Sequence, residues 1–396
     1  MEHISVYDLA LKAKQASYQL ENTSSELRNE ILLSICEYLE SEMEEVLKAN
    51  EIDLDNSKND HLKDRLLLNE KRILEMIDSI NEIIKSPEVI NNITEQWTHH
   101  LGMTIIKKTV PLGVIGIIYE SRPNVTVDAA VLCLKSGNAV VLKGGSEAIN
   151  SNKVLVEIMK RSLKKHGLSS DIIALVEDTS RESVNLMMQL DQFIDVLIPR
   201  GGQGLIDSVV KNAKIPVIQT GSGVCHVYVD EFADINKALN ILINAKCSRP
   251  SVCNSCETLL IHKNIAEKFL PLANEALVKA NVEIRWNDFE VEFNDLIISI
   301  KIVEDLDEAI SHIKSYGTKH SDCIVTEDKI RAEKFCKEVD SAIVYVNVST
   351  RFSDGYEFGF GGEIGISNQK LHARGPMGLK ELTTYKYLVL GDGQIR

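Results

Sequence analysis

The stretch CSRPSVCNSCETLLIH, residues 247–262, puts Cys247, Cys253 and Cys256 within ten positions. Thiols so placed can ligate a metal, cycle through a disulfide, or attack a carbonyl as a thiolate. A metal site on Cys253-x-x-Cys256 needs a second ligand pair, and the chain has no other C-x-x-C and no H-x-x-x-H. A thioredoxin-like motif sits between a strand and a helix, whereas residues 257–262 read as a strand following directly. Cys256 opens that apolar strand and reads as buried. Cys253 follows Arg249, Pro250 and Ser251 and precedes Asn254, a segment too polar for a core. Cys253 is the candidate nucleophile, with a purely structural thiol as the alternative.

Two glycine-rich turns are the next chemical candidates. VVLKGGSEA reads as a strand, then Gly144 and Gly145, then Ser146 as a helix cap; VLIPRGGQGLI reads as a strand, then Gly201, Gly202 and Gly204, then a helix. In open α/β sheets such turns let a backbone approach a ligand beyond the strand ends. Neither turn carries G-x-G-x-x-G, and neither ends in G-K-[ST]. Lys143 and Arg200 beside them favour a phosphate over an empty turn, because a cation next to exposed amides grips an anion.

The elements that must position these residues follow from the pattern of the chain. Residues 1–90 are helical in period: in TSSELRNEILLSICEYLE, Leu27, Ile31, Ile35 and Leu39 fall on one face, with Thr23 and Glu26 at capping-box spacing. From about residue 110, short apolar runs (GVIGIIYE, NAVVLKGG, IIALVED, FIDVLIPRGG, IPVIQTG) alternate with amphipathic stretches. A second such series follows from about 225 with HVYVD, ETLLIH, LIISIKIVE, DCIVTED and AIVYVNV. That alternation predicts α/β architecture with two parallel sheets under helices.

The chain has 396 residues, 44% of them hydrophobic, and a formal net charge of -14. No apolar run approaches the roughly 20 residues of a membrane helix. The start shows no secretory pattern, so a cytoplasmic location is expected. Eight cysteines there are read as buried small hydrophobes plus one reactive thiol. The acidic balance argues against a nucleic-acid partner. A small anionic ligand in a locally basic pocket stays open.

RPSVCNSCETLLIH and VPLGVIGIIYESRPNVTVDAAVLCLKSGNAVVLKGGSEA resemble the gamma-glutamyl phosphate reductases (glutamate-5-semialdehyde dehydrogenases), a phosphorylating branch of the aldehyde dehydrogenase superfamily. VEDLDEAISHIKSYGTKHSDCIVTED and FGFGGEIGISNQKLHARGPMGLKELTTYKYLV extend the resemblance to residues 100–390, in order. The resemblance implies Cys253 as nucleophile and Asn124 as an oxyanion donor. It also implies NADPH held by Lys143, Gly144, Gly145, Ser146, Arg200, Gly201 and Gly202, and substrate contacts from Arg122, Arg249, His320, Ser321 and Arg374. No metal is implied. The expected reaction is reduction of glutamyl 5-phosphate to glutamate 5-semialdehyde through a thioacyl enzyme, a step of proline biosynthesis.

Ordinary members of the superfamily carry a glutamate in an E-L-G-G-K stretch that activates water. Here the matching IQTGSGVCHV has no carboxylate, as suits an enzyme that must protect its thioester. The domains expected are an aldehyde dehydrogenase-like, Rossmann-like cofactor domain of residues 1–93 and 109–225, to which the chain returns at 363–380, and a catalytic domain of 226–362. An oligomerisation element of 94–108 and 381–396 completes them, with Leu101-Gly102 as a hairpin turn and a homo-oligomer as its consequence. A kinase supplying the acyl phosphate is an expected partner. A catalytically silent cofactor-binding homologue and a CoA-acylating semialdehyde dehydrogenase are the rival readings.

Overall fold

The structure is a computed structural model and describes residues 5–57 and 60–396. The chain divides into two compact units. One comprises the chain up to Ile218, Gly359–Gly365 and Met377–Arg396; the other comprises Gln219–Phe358 and Ile366–Pro376.

The first unit opens with helices α1 (Val6–Glu21), α2 (Ser25–Ser41), α3 (Met43–Asn56), α4 (Asp60–Leu66) and α5 (Glu70–Lys85). On α2, Ile31, Ile35 and Leu39 are buried and Leu27 is half-buried, as the period predicts. The cap, however, is Ser24, whose hydroxyl accepts from Leu27 N at 3.2 Å, while Thr23 donates back to Leu20 O at 2.7 Å. The expected capping box is therefore one residue out of register. Strands β1 (Ile93–Thr98) and β2 (Thr104–Pro111) then pair antiparallel about a turn in which Gly102 has φ +88°, a conformation favouring glycine.

Strand β3 (Val114–Tyr119), helix α6 (Pro123–Lys135), strand β4 (Ala139–Lys143), helix α7 (Ile149–Lys165), strand β5 (Ile173–Leu175), helix α8 (Arg181–Met187), strand β6 (Val196–Arg200) and helix α9 (Gln203–Asn212) follow. They form a parallel sheet in the order β5-β4-β3-β6. Every residue of β3 and β4 is buried, which explains why these strands read as continuous apolar runs. IPVIQTG is a correction: residues 215–221 form no strand, and Val217 makes only an isolated bridge to Leu197. Nor does Ser146 cap α7. Asp53 on α3 does so, accepting from Asn150 N at 3.2 Å and Ser151 N at 2.8 Å.

The second unit contains β7 (Cys225–Val229), α10 (Ile235–Cys247), β8 (Cys256–His262), α11 (Lys263–Lys279), β9 (Glu283–Arg285), β10 (Ile297–Val303), α12 (Leu306–Tyr316), β11 (Ser321–Val325), α13 (Lys329–Glu338) and β12 (Ile343–Val346). The sheet is parallel, in the order β12-β11-β7-β8-β10-β9. Alternate residues sort to its two faces. Val227, Val229, Leu259 and Ile261 pack with Leu242 and Phe269 of α10 and α11. Tyr228 and Leu260 pack with Ile310 and Phe335 of α12 and α13. A short antiparallel pair, β13 (Ile366–Ser367) and β14 (Gly375–Pro376), belongs to the same unit. The last strand, β15 (Thr383–Leu390), belongs to the first unit and pairs antiparallel with β2. Fold class and hairpin are thus as the sequence predicts. Among the described residues no helix is long and apolar enough to cross a membrane.

Candidate active site

In the first unit the candidate residues gather at the carboxyl ends of β3, β4 and β6, where ligands of parallel sheets bind. Lys143 ends β4, is buried, and donates to Gly144 O at 3.1 Å. Burial pushes its ammonium below the usual lysine range, against the nearby charges of Asp178 and Glu147. A Cβ on Gly145 would lie 3.4 Å from Ser121 N and 2.3 Å from the Glu147 carboxylate, so the turns after β3 and β4 approach each other closely. Ser146 is exposed beside them.

The turn after β6 is already engaged. Gly202 N donates to the Glu120 carboxylate at 2.8 Å, and Glu120 N donates to Arg200 O at 3.1 Å. Sequence reasoning missed Glu120 because a carboxylate on a phosphate-type turn leaves no spacing signal. Arg122 stands at the N-cap of α6, and Pro123 opens the helix with a φ suited to its first position. Asn124, in the first turn, donates Nδ2–H to Asp128 Oδ2 at 3.1 Å.

In the second unit, β7, β8 and β11 run parallel, and the candidate residues precede or open them. They therefore lie at the amino edge of the sheet, not at its carboxyl edge as strand-end rules suggest. Cys253 is half-buried on the loop between α10 and β8. The loop around its thiol is fixed from several sides. Cys225 Sγ donates to the Cys253 carbonyl at 3.2 Å. Gly223 lies so close to that carbonyl that a Cβ there would stand 1.4 Å from the oxygen. Thr350 donates to Asn254 O at 2.7 Å, Asn254 Nδ2 donates to Ser353 O at 2.9 Å, and Arg351 reaches both Asn254 Oδ1 and, at 3.1 Å, Ser248 Oγ. Burial, with Arg249 alongside, lowers the Arg351 pKa. Arg249 itself is exposed.

The neck of the loop is closed by an ion pair of two fully buried groups, Lys246 Nζ to Glu257 Oε2 at 2.7 Å. Burial pushes Glu257 up to about 7 while Lys246 pulls it down. Removing one partner strands the other charge, so Glu257→Leu is expected to cost about 3–5 kcal/mol. Urea unfolding checks this.

His320, fully buried, sits 2.9 Å from Ser321 Oγ and 3.8 Å from Cys225 Sγ. Ser321 Oγ lies 2.6 Å from Ser353 Oγ, which lies 2.8 Å from Tyr345 OH. His320 and Ser321 are thereby brought to the underside of the nucleophile loop, with Cys225 between. The neighbouring Asp322 is occupied with His226, 2.9 Å from its Nδ1, and with Ser341. Arg374 is engaged with Asp340: it bonds Asp340 Oδ1 at 2.9 Å and Asp340 O at 3.0 Å. Lys370 and Arg374 hold Asp340 down to about 2. The segment IQTGSGV carries no carboxylate of its own, yet Glu292 brings one to Gly223 N at 2.9 Å. That carboxylate is engaged as a backbone acceptor. Among the other thiols, burial pushes Cys323 up to about 12 and Cys225 and Cys256 well above the ordinary value.

The sequence pattern described as "Aldehyde dehydrogenase family" matches residues 5–294. Gamma-glutamyl phosphate reductase of Carboxydothermus hydrogenoformans is 52% identical over 99% of both chains, and that of Clostridium perfringens 51% identical over 97% of this chain and 98% of the other. The crystal structure of gamma-glutamyl phosphate reductase from Thermotoga maritima superposes with a TM-score of 0.96 at 45% identity, covering 99% of this chain and all of the other. An acetylating aldehyde dehydrogenase from Geobacillus thermoglucosidasius shares the fold, with a TM-score of 0.74 at 17% identity. The chain belongs to the aldehyde dehydrogenase family of oxidoreductases, in its gamma-glutamyl phosphate reductase branch.

Proposed function

We propose that this protein reduces L-glutamyl 5-phosphate to L-glutamate 5-semialdehyde and phosphate, through a thioester on Cys253 and at the expense of NADPH. The observation that carries the reading is the half-buried Cys253 on a loop held through the Ser248 hydroxyl, the main-chain carbonyls of Cys253 and Asn254, and the Asn254 side chain. A nucleophile needs that combination of access and fixed position. The Cys253 thiolate attacks the acyl carbon, a C–S bond forms, and the C–O bond to phosphate breaks. Arg249 and Arg122 supply cations for the phosphate and carboxylate, with Arg351 anchoring the loop.

The tetrahedral intermediate carries an oxyanion, for which the Cys253 amide and Asn124 Nδ2 are the proposed donors. Asn124→Ala is expected to lower kcat by roughly 100-fold, the scale of losing one such donor. Steady-state kinetics at saturating cofactor check it, and a change confined to cofactor affinity contradicts the role.

The donor set at the ends of β4 and β6 fits a nicotinamide dinucleotide: a buried lysine, closely approached glycine amides and Arg200 suit an anionic ligand. Lys143, Gly144, Gly145, Ser146, Arg200, Gly201 and Gly202 would hold it, with Glu120 giving up the Gly202 amide to a phosphate. When bound, the nicotinamide supplies the hydride that brings the thioester to the aldehyde level. The Cys253 thiolate then leaves, freeing the semialdehyde. Lys143 and Ser146 favour the 2′-phosphate of NADPH, and the ratio of kcat/KM for NADPH over NADH tests that choice.

The sheet of β1, β2 and β15 exposes Trp97, Tyr385, Tyr387 and Val389. We propose it as the homo-oligomer contact, since apolar side chains and strand edges of this kind are covered by a second copy.

The test of the function is the reverse reaction. NADP should be reduced by glutamate 5-semialdehyde only when inorganic phosphate is present. Reduction that requires CoA in place of phosphate overturns the substrate assignment.

A further inference from the structure

On α6, Asn124 and Asp128 stand one turn apart, so their side chains share a face of the helix. Asn124 Nδ2 donates to Asp128 Oδ2 at 3.1 Å. An ionised carboxylate accepts and cannot donate, so this contact turns the amide nitrogen, not the amide oxygen, toward Asp128. Both amide hydrogens sit on that nitrogen; one is used by Asp128 and the other is left to donate elsewhere. The opposite orientation would present Oδ1, whose partial negative charge repels a developing oxyanion. The residue type alone does not choose between the two orientations.

Asp128 does choose, as the acceptor for that nitrogen. Burial raises its carboxyl, while the Asn124 hydrogen bond and the charge of Arg200 on β6 act in the other direction.

We propose that Asp128 is a positioning residue for the reaction, setting the amide orientation in which Asn124 can donate to the oxyanion. The inference rests on the reading of Asn124 as an oxyanion donor.

The test is a double-mutant cycle on the full-length enzyme, with kcat and KM measured for the semialdehyde, NADP and phosphate reaction. Asp128→Asn preserves shape but can both donate and accept, so it no longer dictates the orientation of its neighbour. The expected result is a kcat lowered roughly 10-fold, between no effect and the roughly 100-fold of Asn124→Ala. KM for NADP and for the semialdehyde should stay unchanged. Asp128→Glu, still acceptor-only, is expected to restore most of kcat. In the Asn124→Ala background, Asp128→Asn should cause no further loss.

Equal losses in both backgrounds would mean that Asp128 acts independently of Asn124, and the proposal would fall. A wild-type kcat for Asp128→Asn beside an impaired Asn124→Ala overturns the proposal and leaves the oxyanion reading intact. A wild-type kcat for Asn124→Ala overturns the oxyanion reading itself. Should Asp128→Asn fail to fold, Asp128→Ser takes its place in the same cycle, with the same outcomes.

Discussion

Cys253→Ala is expected to abolish turnover while leaving the fold intact, and Cys256→Ala to keep most of the activity. The separation follows from which atoms make the contacts. At residue 253 the contacts to Cys225 and Gly223 are made by the main-chain carbonyl, which alanine retains, so only the thiol is lost. Without a nucleophile there is no thioester, and no other described thiol can replace it: Cys36, Cys133, Cys225, Cys256 and Cys323 are buried, while Cys247 and Cys336 lie outside the held loop. Cys256 starts β8, fully buried, with its thiol held far from ionisation by burial. Truncating it removes one small apolar group and should cost about 1 kcal/mol of stability. Steady-state rates and urea midpoints for both variants check the pair. Equal losses of activity would contradict the assignment of the nucleophile.

Gly223→Ala is expected to be damaging through both activity and stability. Its Cβ would lie 1.4 Å from the Cys253 carbonyl oxygen and 2.4 Å from the carbonyl carbon. Neither clashing group is the end of a flexible side chain, so the main chain of one loop must move by an ångström or more. That movement pulls on the Glu292 contact to Gly223 N and the Cys225 contact to Cys253 O. Overpacking of this severity should destabilise by about 3 kcal/mol, and displacing the nucleophile by an ångström should cost roughly 100-fold in kcat. Gly204, with nothing within 4 Å of a Cβ, is the control, and Gly204→Ala should behave as wild type. A wild-type rate for Gly223→Ala would show that the loop position does not matter.

Particular residues explain what could be read from the sequence and what could not. The strands of both parallel sheets except β9 were legible because buried parallel strands write continuous apolar runs; β3 and β4 are buried throughout, whereas β9 is three exposed or half-buried edge residues that write no such run. IPVIQTG wrote a similar run but joins its sheet only through the Val217 bridge, since burial alone gives apolarity without a ladder. Capping failed twice, for different reasons. Adjacent Thr23 and Ser24 are both competent caps, and the N-terminus of α7 is satisfied by Asp53, nearly a hundred residues earlier.

At the site, Cys253, Asn124, Lys143 and the glycine turns were legible from their surroundings and from resemblance. The contacts that fix them were not. Gly223 meets Cys253 across thirty residues, Arg351 reaches Asn254 across 97, and Glu292 reaches Gly223 across 69. Such pairs are chosen by sheet topology, and no local spacing records them. The exception is Asn124 with Asp128, four apart on one helix, a contact the helical period could have disclosed.

The most direct test of the account is to trap the acyl enzyme. Mixing the protein with glutamate 5-semialdehyde and NADP in the absence of phosphate, then quenching in acid, should give one reduced nicotinamide per subunit. The mass of a glutamyl acyl group should appear on the peptide containing Cys253, and addition of phosphate before the quench should remove it. Reduction of NADP with no acyl group on Cys253, or with the group on another residue, would contradict the thioester mechanism.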